Sequence, residues 1–349
     1  MSTTIQTSNT VVEVHEAADL GATRRAVRDA AVQVRLPQAQ TEAAQLAVTE
    51  LASNIVRHAG GDGYVLVRAL PNAGGMEVLA VDRGPGIDER ATAVAGVCRT
   101  VGFADGLGVG LGSVHRLAMD FDLYARRSRG TVVLARFWQH TAPAPASALS
   151  SGGVSLAVVP LEANGDAWAI AREDEGEDGD EAFLLVDGLG HGANAHRAAD
   201  VASSIFAAEY HGDLALWFER ANAGMLQTRG GVAAIARVDR TRNVVQFAGV
   251  GNIAGRVVTG AGSRGLISRP GLIGTEIRPP RPHVVEVPWP AGSLMLLWSD
   301  GLTSRVMLDD YPGLIHHDPA VIAAVLHRDF GKGRDDATII VVQDRSSGR

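Results

Sequence analysis

Apolar and polar positions alternate in two different textures along this chain. In the first, apolar residues recur at helical spacing near 18–35 and again from Thr41 to His58. In the latter segment Ala44, Ala47, Val48, Leu51 and Ile55 fall on one stripe. Short apolar runs follow at Tyr64–Leu70, Met76–Val81 and Thr131–Phe137, each of strand length and bounded by turn residues. Between the last two lie a long glycine-containing segment and a helix starting near Leu111. This pattern predicts an α/β sandwich with a helical layer on one face of a sheet.

The second texture is richer in strands. Val154–Val159, Ala167–Ala171, Ala182–Val186, Val232–Val238, Val244–Ala248, Leu294–Trp298 and Thr338–Val342 all read as strands, with helices near 194–210, 213–227 and 318–329. Strand runs flanking a pair of helices predict two sheets with helices packed outside. Between the textures, HTAPAPASALSSGG (140–153) has no acid, no base and no large aromatic, which is linker composition. The expected organisation is a domain at 1–139, a linker at 140–152 and a domain at 153–349, in a mixed α/β fold class.

Composition narrows the function classes. The 349 residues accommodate two domains of roughly 150 residues each. Apolar residues make up 46%, which excludes disorder for most of the chain. A net charge of −7 argues against a nucleic-acid partner, and 5% aromatics supply few base-stacking platforms. The single cysteine, Cys98, excludes an intrachain disulfide and a Cys-rich zinc site, and reads as a small semi-buried residue. The N-terminus lacks the basic start and apolar run of a signal peptide, and the longest uncharged stretch, Thr141–Leu161, is broken by Pro, Ser and Gly. A soluble cytoplasmic protein with no membrane partner is expected.

Candidate chemistry in the first half lies in four places. Glu50 and Asn54 are one turn apart on a helix, where a carboxylate beside a carboxamide can order a hydroxyl and ligate Mg²⁺. Asp82 ends an apolar run ahead of the turn Gly84-Pro85-Gly86, where it can accept a hydrogen bond from an adenine amino group. Gly106, Gly108, Gly110 and Gly112 run into a helix whose free N–H groups suit a phosphate. No Gly-Lys-Ser/Thr follows, so this is not a Walker loop. Gly130-Thr131 opens the last strand, with a hydroxyl in reach of a phosphate.

In that order, ELASNIVRHA, DRGPGI, GLGVGLG and GT resemble the N, G1 and G2 boxes of the GHKL (Bergerat-type) ATPases over about residues 10–138. The spelling GLGVGLGSVHRLAMDFDL is similar to RsbT-type switch kinases within the group of small serine kinases and anti-sigma factors. The resemblance implies ATP and Mg²⁺ as cofactors, Glu50 as catalytic base and Asn54 as Mg²⁺ ligand. It also implies that Asp82 reads adenine and that the glycines and Thr131 shape the pocket.

In the second half, acids sit at strand ends beside glycines: Asp166, Asp187 opening DGLGHG (187–192), Asp300 in SDGL, and Asp335 with Asp336 ahead of a strand. Converging carboxylates repel one another and call for hard cations such as Mg²⁺ or Mn²⁺. GD (165–166), DGLGHG, AGVGN (248–252), SDGL (299–302) and DDAT (335–338) resemble the SpoIIE/RsbU/RsbX branch of the PPM phosphatases, an α-β-β-α sandwich, over about 153–345. The resemblance implies two Mn²⁺ or Mg²⁺ ions held by Asp166, Asp187, the Gly188 carbonyl, Asp300 and Asp335. It further implies hydrolysis of phosphoserine or phosphothreonine by activated water without a phospho-enzyme. Asn164 stands where Gly is usual, and no arginine matches the phosphate-gripping position of eukaryotic members. His191 reads as a supporting hydrogen bonder or a structural residue, His58 as a helix-end residue, and the acidic run 173–181 as a solvated hairpin loop.

The expected function is a bacterial partner-switching or stress-signalling regulator whose substrate is a STAS-domain anti-sigma-factor antagonist protein. Such circuits also use a sigma factor or a downstream phosphatase, and kinases of this type often form homodimers, which the residues themselves do not show. Three readings stay open: a bifunctional kinase and phosphatase, a phosphatase gated by an ATP-sensing or anti-sigma binding module, and a partner-binding protein with vestigial catalytic residues.

Overall fold

The computed structural model describes residues 2–6, 8–87, 108–140, 148–160, 162–172, 179–277 and 281–346. The chain forms two compact units. One comprises Asn9–Ala144 and Leu308–Arg328, the other Met1–Ser8, Pro145–Met307 and Asp329–Arg349. No helix among the described residues is long and apolar enough to cross a membrane.

The chain opens with β1 (Ser2–Gln6), which belongs to the second unit. The first unit follows with β2 (Thr10–Glu13), α1 (Leu20–Gln33), α2 (Gln38–His58), β3 (Gly63–Leu70), β4 (Gly75–Asp82), α3 (Gly108–Leu117), β5 (Asp120–Arg126) and β6 (Gly130–Trp138). Its strands make one antiparallel sheet in the order β2-β3-β4-β6-β5. The expected stripe of α2 is buried as Ala44, Ala47, Val48, Leu51 and Ile55. It meets Val27 of α1, Val114 of α3, and Val65, Val67, Val78 and Val133 from the sheet.

β3 and β4 show no alternation because both of their faces are covered. All but the last residue of each is buried. On the face away from the helices lies a charged network. Glu77, almost fully buried, takes Arg68 at 2.9 Å and Arg136 at 2.7 Å, and Arg136 also meets Asp318 at 2.8 Å. Burial alone would depress the Arg136 guanidinium, but Asp318 and Glu77 outweigh it and hold it charged. Asp122 accepts from the backbone N–H of Asp318 at 2.6 Å and meets the His317 ring at 2.8 Å.

The second unit has two stacked antiparallel sheets. The larger is ordered β1-β8-β9-β10-β11-β14, with β8 (Asp166–Arg172), β9 (Glu181–Gly188), β10 (Gly231–Asp239), β11 (Val244–Val250) and β14 (Val285–Pro288). The smaller is ordered β13-β12-β15-β16-β7, with β7 (Leu149–Leu156), β12 (Ala254–Thr259), β13 (Gly262–Ile267), β15 (Leu294–Trp298) and β16 (Ala337–Asp344). Trp168, Phe183, Leu185 and Phe247 face Met295, Leu297, Ile340 and Val342 in the core between them. On the outer face of the larger sheet, α4 (Ala193–Glu209) and α5 (Leu214–Met225) bury Ala198, Ala202, Phe206, Trp217 and Phe218.

The mixed α/β class and the sandwich architectures agree with the sequence pattern. Three boundaries differ. Leu149–Gly152 lie in the stretch read as linker but form the start of β7, because their backbone pairs with β16 from Val341 to Asp344 and that pairing needs no apolar side chain. Ser2–Gln6 pair with β8, not with the sheet that follows them in sequence. The last helix, α6 (Pro319–Phe330), falls in the stretch that the sequence pattern assigns to the second domain, yet Leu308–Arg328 group with the first unit, where Asp318 closes the charged network.

Removing one member of a buried ion network strands the others without counter-charge. Glu77→Ala is therefore expected to destabilise the protein by about 3–5 kcal/mol, read as a lower urea midpoint. Loss of less than about 1 kcal/mol, the range of exposed pairs, would show the network to be unimportant.

Candidate functional site

The first candidate site lies where α2, β4 and α3 approach one another. Glu50 and Asn54 project from the same face of α2, both half-buried. Gly110 of α3 sits directly against them: a Cβ there would lie 3.0 Å from Glu50 Oε2 and 3.6 Å from Asn54 Oδ1. A side chain there would press on the Glu50 carboxylate, so glycine leaves that space open. Glu50 also lines a cavity of about 340 Å³ with Leu46, Ser113, Arg116 and Leu117. Gly108 begins α3 and Gly112 lies one turn in, so free backbone N–H groups start here.

Asp82 ends β4, and its Oδ1 accepts from the N–H of Gly84 at 2.9 Å and of Thr131 at 3.1 Å. The β4 end is thereby tied to the start of β6. Burial raises the Asp82 carboxyl above its ordinary value, opposed by those two amides. Its backbone carbonyl accepts from Arg328 at 3.1 Å. Gly130 has φ +82°, and a Cβ there would fall 1.9 Å from the Asp82 carbonyl oxygen, so no other residue fits. Gly84 and Gly86 form the turn after Asp82, and Thr131 is buried beside it. Gly106 and Cys98 lie outside the described residues.

The second candidate site is built at strand ends. Antiparallel pairing sets Asp166, first residue of β8, directly opposite Asp187 near the end of β9. Asp166 is buried. Its Oδ2 accepts from Ser299 Oγ at 2.7 Å, while Oδ1 is buried with no partner among the described residues. Asp300 follows β15, and its Oδ2 accepts from Asn252 Nδ2 at 2.7 Å. The adjacent acids Asp335 and Asp336 separate in role. Both oxygens of Asp336 are taken by the N–H groups of Val158 and Gly165, at 2.7 and 2.6 Å, whereas Asp335 is exposed.

Burial, then repulsion among Asp166, Asp300, Asp335 and Asp336, pushes Asp187 up to about 9. Asp166 is raised to about 7, by burial first. Asp335 is raised by burial and then by Asp300 and Asp336. Among the described residues no three His, Cys, Asp or Glu side chains are already gathered as a ligand shell. Mg²⁺-like ions ask for less, since one or two carboxylates plus water suffice. An all-oxygen donor set, a mutually repelling pair and the orphaned Asp166 Oδ1 fit a hard divalent cation.

Ser299, Asn252 and Thr338 orient these acids; each lies inside SDGL, AGVGN or DDAT, yet nothing in the chain order marks it as a supporting residue. Thr338 N–H donates to Ser299 Oγ at 2.9 Å, relaying the fixation of Asp166. His191 is exposed on the turn after Gly188, and His58 ends α2. Of the acidic run, 173–178 lie outside the described residues, while Asp180 pairs with Arg237 at 2.7 Å and Glu181 is buried.

Residues 14–137 match the histidine kinase-like ATPase domain family, and residues 177–344 match Stage II sporulation protein E (SpoIIE). Asp166 lies ahead of the latter match. The serine/threonine-protein kinase RsbT of Bacillus subtilis (strain 168) is 31% identical over 122 residues, covering 34% of this chain and 89% of RsbT. Among solved structures, one from the bacterial stressosome, a modular system adapted to control secondary messenger signalling, is 27% identical. It covers 56% of this chain and 98% of its own, with a TM-score of 0.50. RsbX in complex with magnesium is 20% identical over 56% of this chain and 94% of its own, with a TM-score of 0.46.

The raised carboxyls carry a pH dependence of definite sign. Without metal, the folded protein keeps protons on Asp166 and Asp187 that the unfolded chain releases above about pH 4. Their contribution to stability therefore declines as pH rises from there through about 7 and about 9. A cation competes with the same protons, so the rise in melting temperature on adding Mn²⁺ is expected to grow from about pH 6 to about pH 8.5. Asp187→Asn should abolish that growth. A Mn²⁺ shift that is largest at the acid end would exclude these carboxylates as its source.

Proposed function

Since the chain belongs to the histidine kinase-like ATPase family through residues 14–137, joined to a SpoIIE-type PPM phosphatase domain at 177–344, we propose that it is a two-activity partner-switching regulator. It removes phosphate from serine or threonine of a STAS-domain antagonist protein and phosphorylates the same class of partner from ATP. A sigma factor or a downstream phosphatase lies further along the circuit, and the cytoplasm, where ATP is available, is its place of work. Domains of these two kinds use a nucleotide and divalent metal ions. The finer assignment is Mg²⁺ with ATP and two Mn²⁺ or Mg²⁺ ions in the phosphatase.

The observation that carries the phosphatase reading is the pair of buried Asp166 and half-buried Asp187, set opposite each other at the mouths of two strands. Asp166, Asp187, the Gly188 carbonyl, Asp300 and Asp335 would hold the ions. When bound, these supply positive charge for water activation and for the phosphate oxygens. The chain's own part is orientation. Ser299 fixes one oxygen of Asp166 and leaves the other for a cation, and Asn252 does the same for Asp300. Asp336 locks the Val158 and Gly165 amides, which sets the approach of β8.

In the ATPase domain, Glu50 takes the proton of the acceptor hydroxyl, Asn54 holds Mg²⁺, and Asp82 receives the adenine amino group. Gly84, Gly86, Gly106, Gly108, Gly110, Gly112 and Thr131 shape the pocket. The Gly84 and Thr131 amides bind one oxygen of Asp82, which supports its use as an oriented acceptor.

Two variants test the two activities. Mn²⁺-dependent hydrolysis of p-nitrophenyl phosphate is expected, and Asp187→Asn should lower it by more than about a hundredfold, beyond what losing a merely supporting partner costs. Glu50→Ala should lower phosphate transfer from ATP to a STAS protein by roughly a hundred- to ten-thousandfold with ATP binding retained. ATP binding by a wild type that transfers no phosphate would instead identify the first domain as a nucleotide sensor.

A further inference from the structure

Every side chain assigned to the metal site is an acid, yet a phosphomonoester brings a dianion of its own. The ions would take part of that charge, and a fixed cation beside the acids would give the remaining phosphate oxygens a donor. Lys332, His191 and Arg229 are basic side chains beside the turns that carry the acids. Lys332 is committed, its ammonium donating to the Asp300 backbone carbonyl. His191 lies near enough to Asp335 to oppose the rise of that carboxyl. Arg229 differs from both: it is exposed, and among the described residues it has no ion pair and no hydrogen bond.

The backbone around Arg229 is fixed, and its side chain lies against a neighbouring turn. Its Nη1 lies 3.3 Å from where a Cβ on Gly190 would begin, so the guanidinium is folded over the turn that follows Asp187 and Gly188. The backbone on either side is pinned. Gly230 N–H donates to Thr228 Oγ1 at 3.0 Å, and the Gly230 carbonyl accepts from Leu189 N–H at 3.0 Å. Gly231 pairs with Gly188 and Val232 with Asp187 in the β9–β10 ladder. A long cation is thus anchored three residues from the strand partner of Asp187, while its charge is not spent on any of the acids. A guanidinium presents a planar fork of N–H donors that matches two phosphate oxygens.

We propose that Arg229 is the phosphate-gripping residue of this site, binding the phosphate group of a phosphoserine or phosphothreonine substrate and of the inorganic phosphate product. The proposal rests on the phosphatase reading of the same carboxylates.

The test is calorimetric binding of inorganic phosphate to the full-length, Mn²⁺-loaded protein, alongside steady-state hydrolysis of p-nitrophenyl phosphate. Arg229→Gln should weaken phosphate binding by roughly ten- to a hundredfold, the range for hydrogen bonds to a charged group. KM should rise by a similar factor and kcat should fall less, while the Mn²⁺ affinity and the Mn²⁺-induced melting shift stay at wild-type values. Arg229→Lys, which keeps the charge but loses the fork, should fall between. Phosphate binding and KM unchanged in Arg229→Gln would overturn the assignment, as would a parallel loss of Mn²⁺ affinity. A wild type that binds phosphate through Arg229 yet hydrolyses nothing would overturn the phosphatase reading alone. A wild type that binds no phosphate with Mn²⁺ would overturn both.

Discussion

Two carboxylates that cannot both stay charged in isolation govern the second half of this protein. Asp166 and Asp187 face each other across adjacent antiparallel strands, with the former buried. Burial disfavours both ionised forms; Asp166 raises Asp187 further, and Asp336 and Asp300 raise Asp166. A fold gains nothing in stability from such a pair without a cation, so its presence is best understood as function built into the frame. The neighbouring hydrogen bonds follow from that constraint. Ser299 holds one oxygen of Asp166, Thr338 holds Ser299, and Asn252 holds Asp300, so the acids are held in fixed orientations.

The ATPase unit meets a similar demand by different means. Its elements come close to one another by omitting side chains where they cross. Gly130 lets β6 begin against the Asp82 carbonyl, and Gly110 lets α3 settle on Glu50 and Asn54. Asp82 then serves as the tie between two strand ends, its carboxylate bound by two amides and its carbonyl by Arg328. The sheet behind it is buried on both faces. The Glu77–Arg68–Arg136–Asp318 network supplies the polar groups of that second face with partners.

Much of this was readable from residue order. The α2 stripe, the strand runs and the glycine-flanked acids are short-range patterns, and short-range patterns report local geometry faithfully. Glu50 and Asn54 share a helix face because they are four apart, and Asp187 ends a strand because the apolar run stops there. The supporting residues were harder to see. Ser299 and Asn252 lie in recognisable motifs, but an ordinary serine or asparagine acquires meaning only from what it touches. Arg229 carries no motif at all; its interest comes from the turn its guanidinium covers and from the absence of an ion-pairing acid among the described residues.

The sequence by itself determined the two textures, the ATPase and phosphatase signatures and the identity of the acids, because each depends on residues close together in the chain. Tertiary structure decided which acid of the Asp335–Asp336 pair has both oxygens taken by distant amides, since only folding brings Val158 and Gly165 to Asp336. It decided that Leu149–Gly152 are strand rather than linker, since backbone pairing with β16 does not depend on which side chains they carry. It also decided that Ser2–Gln6 and Leu308–Arg328 join units remote from their sequence neighbours. Strand edges and buried charges are satisfied by partners in space, and nothing in local composition announces where those partners will come from.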